Sequence, residues 1–217
     1  MDRIYRCQRY LYDATRWPFL PGRDVLIHKM KVNKSSCILE IGCGTGRNLI
    51  RLSQLHPSAH LFGLDISEQM LSFARRKVRR SGNPTIALKR GAAEDFHYRT
   101  TVGAPKPFDI IFFSYSLSMV RDWRRALHTA FPNLKSTGRL YIVDFYDFRD
   151  LLRPIRALLR GWLGLFHVHY DPECIRYLQA LDDRGAVDLK LDTIGGRYAF
   201  MAELSNLDLI KLTEYNT

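Results

Sequence analysis

Ile38-Leu39-Glu40-Ile41-Gly42-Cys43-Gly44-Thr45-Gly46-Arg47 is the stretch on which the fold of this chain turns. A short apolar run ends in glycines, and Leu49, Ile50, Leu52 and Leu55 then recur at helical spacing. Strand, tight turn and helix in that order are the first unit of a nucleotide-binding α/β sheet. Gly42, Gly44 and Gly46 permit backbone angles closed to other residues and let a ligand lie against bare backbone. Their spacing, G-x-G-x-G, differs from the G-x-G-x-x-G that a dinucleotide pyrophosphate requires.

The second half of the signal is Leu61-Phe62-Gly63-Leu64-Asp65, a second strand whose acid stands nineteen residues after Gly46. An acid there can accept hydrogen bonds from both hydroxyls of a bound ribose. Glu40 adds another carboxylate beside the loop. Such surroundings repel a pyrophosphate and attract a sulfonium cation. The combination resembles the first two motifs of the class I S-adenosylmethionine-dependent methyltransferases. That resemblance implies a Rossmann-like α/β fold with a seven-stranded, mostly parallel sheet and an antiparallel C-terminal edge hairpin. It also implies S-adenosylmethionine as cofactor, held by Glu40, Gly42, Cys43, Gly44, Thr45, Gly46, Asp65, Ile66, Met70, Ala93, Glu94 and Ser114.

Composition agrees with one compact enzyme. At 217 residues and 46% hydrophobic, the chain can bury a single α/β core. There is no apolar run of about eighteen residues, and the opening Met1-Asp2-Arg3-Ile4-Tyr5-Arg6 has no signal-peptide core. Cys7, Cys37, Cys43 and Cys174 form no C-x-x-C pair, so free thiols in a reducing cytoplasm are expected. Cys43 reads as a small filler of the loop. The net charge of +11 favours a polyanionic partner, either an anionic membrane surface or nucleic acid.

From the N-terminus, an aromatic and basic segment with Tyr10, Tyr12 and Trp17 is broken by Pro18, Pro21 and Gly22. A helix is expected over Arg23–Val32. Ser67 caps a helix that runs through Met70, Leu71, Phe73 and Ala74 to a basic end before Gly82. Thr85–Lys89 reads as the third strand and Phe108–Ser114 as a fully buried fourth. A helix over Asp122–Leu134 precedes a fifth strand over Gly138–Phe145. Further helices are expected from Arg149 and over Pro172–Leu181, then strands over Ala186–Leu191 and Arg197–Glu203 joined at Gly195-Gly196. Residues 1–217 read as one domain, with 1–22 as an N-terminal lid segment and 149–182 as a helical, substrate- or membrane-facing segment.

Methyltransferases of this class often carry Gly-Asp-Ala-Glu after the third strand, the aspartate accepting from the adenine amino group. This chain has Ala92 there, which leaves the Ala93 backbone and the Glu94 or Asp95 side chain as substitutes. The class also implies that the N-terminal segment folds over the cofactor, with Tyr12-Asp13 at its methionine end; a helix packed on the sheet edge is the alternative.

A narrower resemblance rests on Tyr10-Leu11-Tyr12-Asp13-Ala14-Thr15-Arg16, Gly22-Arg23-Asp24 and Ser114-Tyr115-Ser116-Leu117-Ser118-Met119, with Val143-Asp144-Phe145 and Phe166-His167-Val168. These are similar to the bacterial betaine-lipid N-methyltransferases, which trimethylate the amine of diacylglyceryl homoserine. Arg121 departs from the proline of many relatives. The resemblance implies a lipid substrate at the inner membrane surface, peripheral attachment and pairing with an enzyme that makes diacylglyceryl homoserine, with no stable nucleic-acid partner.

Methyl transfer to an amine needs positioning and an unprotonated nitrogen more than a strong base. Tyrosine faces accommodate the cation that forms, and Tyr12, Tyr115 and Tyr146 are the candidates at the mouth, with Asp144 to orient the amine. Arg149, Arg153, Arg156 and Arg160 fall on one helical face beside Leu151, Leu152, Ile155, Leu158, Leu159 and Trp162, the make-up of a helix lying among anionic headgroups. His167 and His169 lack a third ligand, so no metal is expected. Two other readings stay open: a class I methyltransferase for a quinone, small acid or RNA, and a non-catalytic cofactor-binding subunit.

Overall fold

The computed structural model of the protein describes residues 20–82, 86–164 and 173–214. Its centre is β1 (Cys37–Ile41), in which every residue is buried. After α1 (Arg23–Lys29) and β1 come α2 (Arg47–Leu55), β2 (His60–Asp65), α3 (Glu68–Ser81) and β3 (Ile86–Arg90). β4 (Phe108–Ser114), α4 (Trp123–Ala130) and β5 (Leu134–Phe145) follow, then α5 (Arg153–Gly164), α6 (Glu173–Asp183), β6 (Asp188–Ile194), β7 (Ala199–Ser205) and α7 (Leu209–Glu214). The seven strands lie in the order β3-β2-β1-β4-β5-β7-β6. β1 to β5 are parallel, and β7 and β6 close the edge as an antiparallel pair.

This arrangement is the expected one: a mostly parallel Rossmann-like sheet with an antiparallel C-terminal edge. Chain direction across the sheet reverses between β1 and β4, which are neighbours. A crevice opens beyond the strand ends at such a reversal, and ligands of open α/β sheets bind there. Local chemistry sets the helix ends that face it. Ser67 caps α3 by accepting from Met70 N at 3.3 Å, and Gly82 ends the helix with φ 68°. α3 buries Met70, Leu71, Ala74 and Val78 on one stripe and leaves its basic end outside.

Several boundaries differ from the sequence reading for identifiable reasons. β5 starts at Leu134, before Gly138, because the Ser136-Thr137-Gly138 stretch is a bulge within the strand; pairing to β4 shifts register between Phe108 and Ile110. The helix expected over Asp122–Leu134 stops at Ala130, and Pro132 belongs to a tighter turn over Phe131–Asn133. α1 ends at Lys29. The hairpin is shifted, since Arg197 lies in its turn with φ 57° and is gripped by the buried Asp147 carboxylate.

The helix expected from Arg149 begins four residues later, at Arg153. Phe148 is fully buried with φ 56°, and Arg149 pairs with Asp147 at 3.2 Å. Arg149 therefore does not share the helical face of Arg153, Arg156 and Arg160. No helix among the described residues is long and apolar enough to cross a membrane.

Candidate functional site

A cavity of about 270 Å³ opens at the β1/β4 reversal. Its floor is the loop from Ile41 to Thr45, its far wall Asp65, Ile66, Ser67 and Met70, and its near wall Ser114, Tyr115, Ser116, Met119 and Val120.

The loop is fixed by packing from both sides. Gly42 has φ 72°, and a Cβ placed there would fall 2.4 Å from Ser116 Cβ. Ser116 in turn donates to Ile41 O at 2.7 Å, so the two walls are bonded across the base of the cavity. Gly46, with φ 76°, starts α2 and lets it approach Ala74 of α3. Cys43 is buried against Gly63, and burial pushes its thiol well above the usual range. It stays protonated and acts as the filler expected.

Asp65 joins the two helix starts. Its Oδ2 accepts from Gly44 N at 2.7 Å and its Oδ1 from Ser67 N at 2.9 Å. Each oxygen keeps a second lone pair for a ligand hydroxyl. Burial raises its pKa, against the lowering effect of these two bonds. Ile66 is 58% exposed beside it, an apolar face turned out on the cavity wall. Ala93 and Glu94 line the same cavity from a tight turn in which Asp95 N donates to Ala92 O at 3.4 Å, whereas Asp95 is not among the lining residues. The substitutes for the missing adenine aspartate therefore narrow to Ala93 and Glu94.

Glu40 is the most informative group. It is 2% exposed, its Oε1 accepts from Asn48 Nδ2 at 2.7 Å, and its Oε2 has no hydrogen-bond partner among the described residues. Burial pushes its pKa up to about 8, with Asn48 and the nearby Arg23 acting in the opposite direction. A buried carboxylate with a vacant oxygen is a site for a cation. Ser114 Oγ is likewise buried, lining the cavity, with no partner among the described residues. An S-adenosylmethionine molecule, cationic at sulfur and at its amino nitrogen, fits this donor set. Glu40 would take the amino group, Arg23 the carboxylate, Asp65 the ribose hydroxyls, and Ile66 and Met70 the adenine faces.

The raised pKa has a testable consequence. The unfolded carboxyl ionises near 4.5 and the folded one near 8, so the folded state holds a proton over that range. The associated stability is complete below pH 4.5 and is lost as pH rises through 8. Glu40→Gln should flatten that decline in thermal melts. A bound cation favours the carboxylate, so cofactor binding near pH 7 should release up to about one proton. Calorimetry in buffers of different ionisation heat measures this, and Glu40→Gln should abolish the release.

The acceptor-side expectations fare unevenly. Tyr115 lines the cavity, with φ 53°, and its hydroxyl donates to Pro21 O at 2.6 Å. Its ring meets Phe145 edge-on at 4.8 Å. Burial raises its phenol pKa, so it is neither base nor phenolate. Tyr146 does not line the cavity; its ring lies under the Arg197 guanidinium at 4.2 Å and against Phe200. Asp144 does not line it either. Its Oδ2 accepts from Ser118 N at 2.9 Å and its Oδ1 from Phe145 N at 2.8 Å, so it ties the turn at Leu117–Met119 to the sheet. Burial lifts its pKa to about 6. Tyr12 and His167-x-His169 lie outside the described residues. Among the described residues no group of histidines, cysteines and acids is placed to hold a metal.

Sequence reasoning missed Arg23, Asn48, Ser116, Met119 and Arg121 as lining residues. Arg47 is drawn in as well, held by Asp24 at 2.9 and 3.1 Å.

The fold and this site together define the class I S-adenosylmethionine-dependent methyltransferases. Residues 38–138 match the methyltransferase domain family, and S-adenosylmethionine is the cofactor that this fold and donor set fit. The demethylmenaquinone methyltransferase of Listeria welshimeri is 28% identical over 142 residues, covering 65% of this chain and 54% of that protein. That of Lactobacillus johnsonii is 32% identical over 147 residues, covering 66% and 56%. The chain thus spans about half the length of the curated relatives it matches. Among solved structures, the plantazolicin methyltransferase BpumL, in complex with a triazolic desmethylPZN analogue and S-adenosylhomocysteine, superposes with TM-score 0.68 at 19% identity, covering 94% of this chain and 91% of that one.

Proposed function

We propose that the chain methylates the amine of a lipid-borne acceptor, diacylglyceryl homoserine, and does so three times to give the betaine lipid. The observation that carries this reading is the chemistry of the cavity wall. Among the described residues, no histidine or lysine lines it, and its one phenol is committed to Pro21. Of its carboxylates, Glu40 accepts from Asn48 and Asp65 from Gly44 and Ser67, while Glu94 lines the wall beside Ala93. A wall without histidine or lysine suits an acceptor that loses its proton to water before each transfer and presents a nitrogen lone pair, as a neutral amine does; the three transfers release three protons in this way. The cofactor supplies the electrophilic methyl group, and the protein positions the nitrogen and excludes water. Tyr115 offers its ring to the nitrogen as it becomes a fixed cation.

A second reading, methylation of a quinol ring carbon, is favoured by the names of the curated relatives, which are demethylmenaquinone methyltransferases. It asks for a group to accept the quinol proton. One experiment separates the two: purified protein with labelled S-adenosylmethionine and either diacylglyceryl homoserine or demethylmenaquinol in mixed micelles. Label in the homoserine lipid, up to three methyl groups, supports the first reading. Label in the quinol alone overturns it.

For a lipid acceptor the protein must reach a membrane, and α5 is the proposed contact. Arg153, Arg156 and Arg160 share one face by spacing, while Leu159 packs on the core. Replacing the three arginines by glutamine should weaken binding to anionic vesicles by about 1 kcal/mol per residue. Wild-type binding should fall with added salt. Unchanged vesicle binding by the triple variant would remove α5 from the proposal.

A further inference from the structure

We infer that Arg121 anchors an anionic group of the methyl acceptor and so makes the enzyme selective for zwitterionic or acidic acceptors; this inference rests on the amine reading above. Arg121 follows the turn at Leu117–Met119 and lines the cavity together with Met119 and Val120. Its side chain is exposed, and it makes no hydrogen bond or ion pair with any described residue.

The neighbouring cations are already occupied. Arg124 is bonded to Glu173 at 2.7 Å and stacked over Trp123, and Arg125 donates to Glu94 O at 3.1 Å. Across the cavity, Arg47 is held bidentately by Asp24. Arg121 is thus a cavity-lining guanidinium with its planar set of donors unspent, a group that matches carboxylate and phosphate geometry.

Its placement is rigid at the backbone. Asp122, the next residue, caps α4 by accepting from Arg125 N at 3.0 Å. On the other side the turn is clamped by Asp144, which accepts from Ser118 N. Arg121 is held between two fixed points on the loop after β4, while the groups assigned to the cofactor lie on the loop after β1, at the end of β2, at Ala93-Glu94 and at Ser114, with Arg23 assigned to the cofactor's one carboxylate. An anion gripped there belongs to the second substrate. A homoserine headgroup carries a carboxylate on the carbon that bears its amine, so fixing the carboxylate also fixes the nitrogen. A quinol carries no such anion.

The same chemistry would accept a lipid phosphodiester, and the test separates these sources. The protein loaded with S-adenosylhomocysteine is titrated with micelles of diacylglyceryl homoserine, its methyl ester, or phosphatidylethanolamine. Wild type should bind the acid at least about tenfold more tightly than the ester, the scale of a charge-assisted hydrogen-bonded pair. Arg121→Gln should erase that preference, Arg121→Lys should keep part of it, and neither should alter S-adenosylhomocysteine affinity. If Arg121 instead governs phosphatidylethanolamine binding, the anchor stands with a phosphodiester as its anion. A preference for acid over ester that survives in Arg121→Gln, or no preference in wild type for either anion, overturns the inference. Turnover is scored separately: an Arg121-dependent preference without amine methylation leaves the anchor intact and removes the amine reading.

Discussion

Asp65→Ala should bind S-adenosylhomocysteine at least about a hundredfold more weakly than wild type, and should also be measurably less stable. Two effects add. The ribose hydroxyls lose a charged acceptor, and the N–H groups of Gly44 and Ser67, held at 2.7 and 2.9 Å, lose theirs. Each buried donor left without a partner costs about 1–3 kcal/mol, so the folding penalty is on the order of 2–6 kcal/mol. Asp65→Asn sharpens the reading. An amide keeps one oxygen, but its NH₂ must then face one of the two N–H donors, so most of the loss should persist in a side chain of nearly the same shape. Calorimetry and chemical denaturation measure the two effects. Wild-type affinity in Asp65→Ala would remove this residue from the cofactor site.

Gly42→Ala should cost about 2–5 kcal/mol of stability and leave no methyl transfer. Part is the left-handed backbone at φ 72°, about 1–2 kcal/mol for a residue with a Cβ. The rest is overpacking, about 1–3 kcal/mol, because the new Cβ would stand 2.4 Å from Ser116 Cβ. The two parts are separable. Ser116→Gly removes the obstruction and leaves the backbone angle, so Gly42→Ala/Ser116→Gly should be more stable than the sum of the single changes by about 1–3 kcal/mol. Strict additivity in the cycle would mean that the loop moves away from Ser116 without cost.

What the sequence revealed was set by how far each signal travels along the chain. The glycine loop, Asp65 and the buried β4 announce themselves within a few residues, because local backbone geometry and burial demand those residue types. That the first five strands run parallel follows from the same alternation of strand and helix. The reason for Gly42 is different, since the atom that forbids a side chain there sits on Ser116 in the loop after β4. Asn48 looks like any helix residue until Glu40 is seen beside it. Arg121 was visible as a departure, yet its place on the cavity wall comes from the turn and the helix cap that flank it.

Two errors of phase came from reading spacing without long-range contacts. Arg149 has the right interval to join the arginine face, but the burial of Phe148 and the Asp147 carboxylate hold it outside the helix. Gly138 reads as the start of the fifth strand, whereas β5 begins at Leu134 and Gly138 falls inside it, where the pairing to β4 shifts register. Asp144 and Tyr146 stand at the end of β5, where strand ends usually face a site. One carboxylate is spent on backbone N–H groups and the other ring is covered by Arg197.

Tyr115 gives the molecule a property that neither wall of the cavity has alone. One side chain lines the cavity, leans on Phe145 and donates to the carbonyl of Pro21, just before α1. Any occupant that shifts this ring alters how tightly the entering chain is tethered, and loosening the tether alters how well the occupant is held. The two equilibria are reciprocal by thermodynamic necessity, with the same factor in both directions. Affinity for an occupant that touches this ring is therefore coupled to the Tyr115–Pro21 bond, and a change at Pro21, which does not line the cavity, reaches the cavity through it.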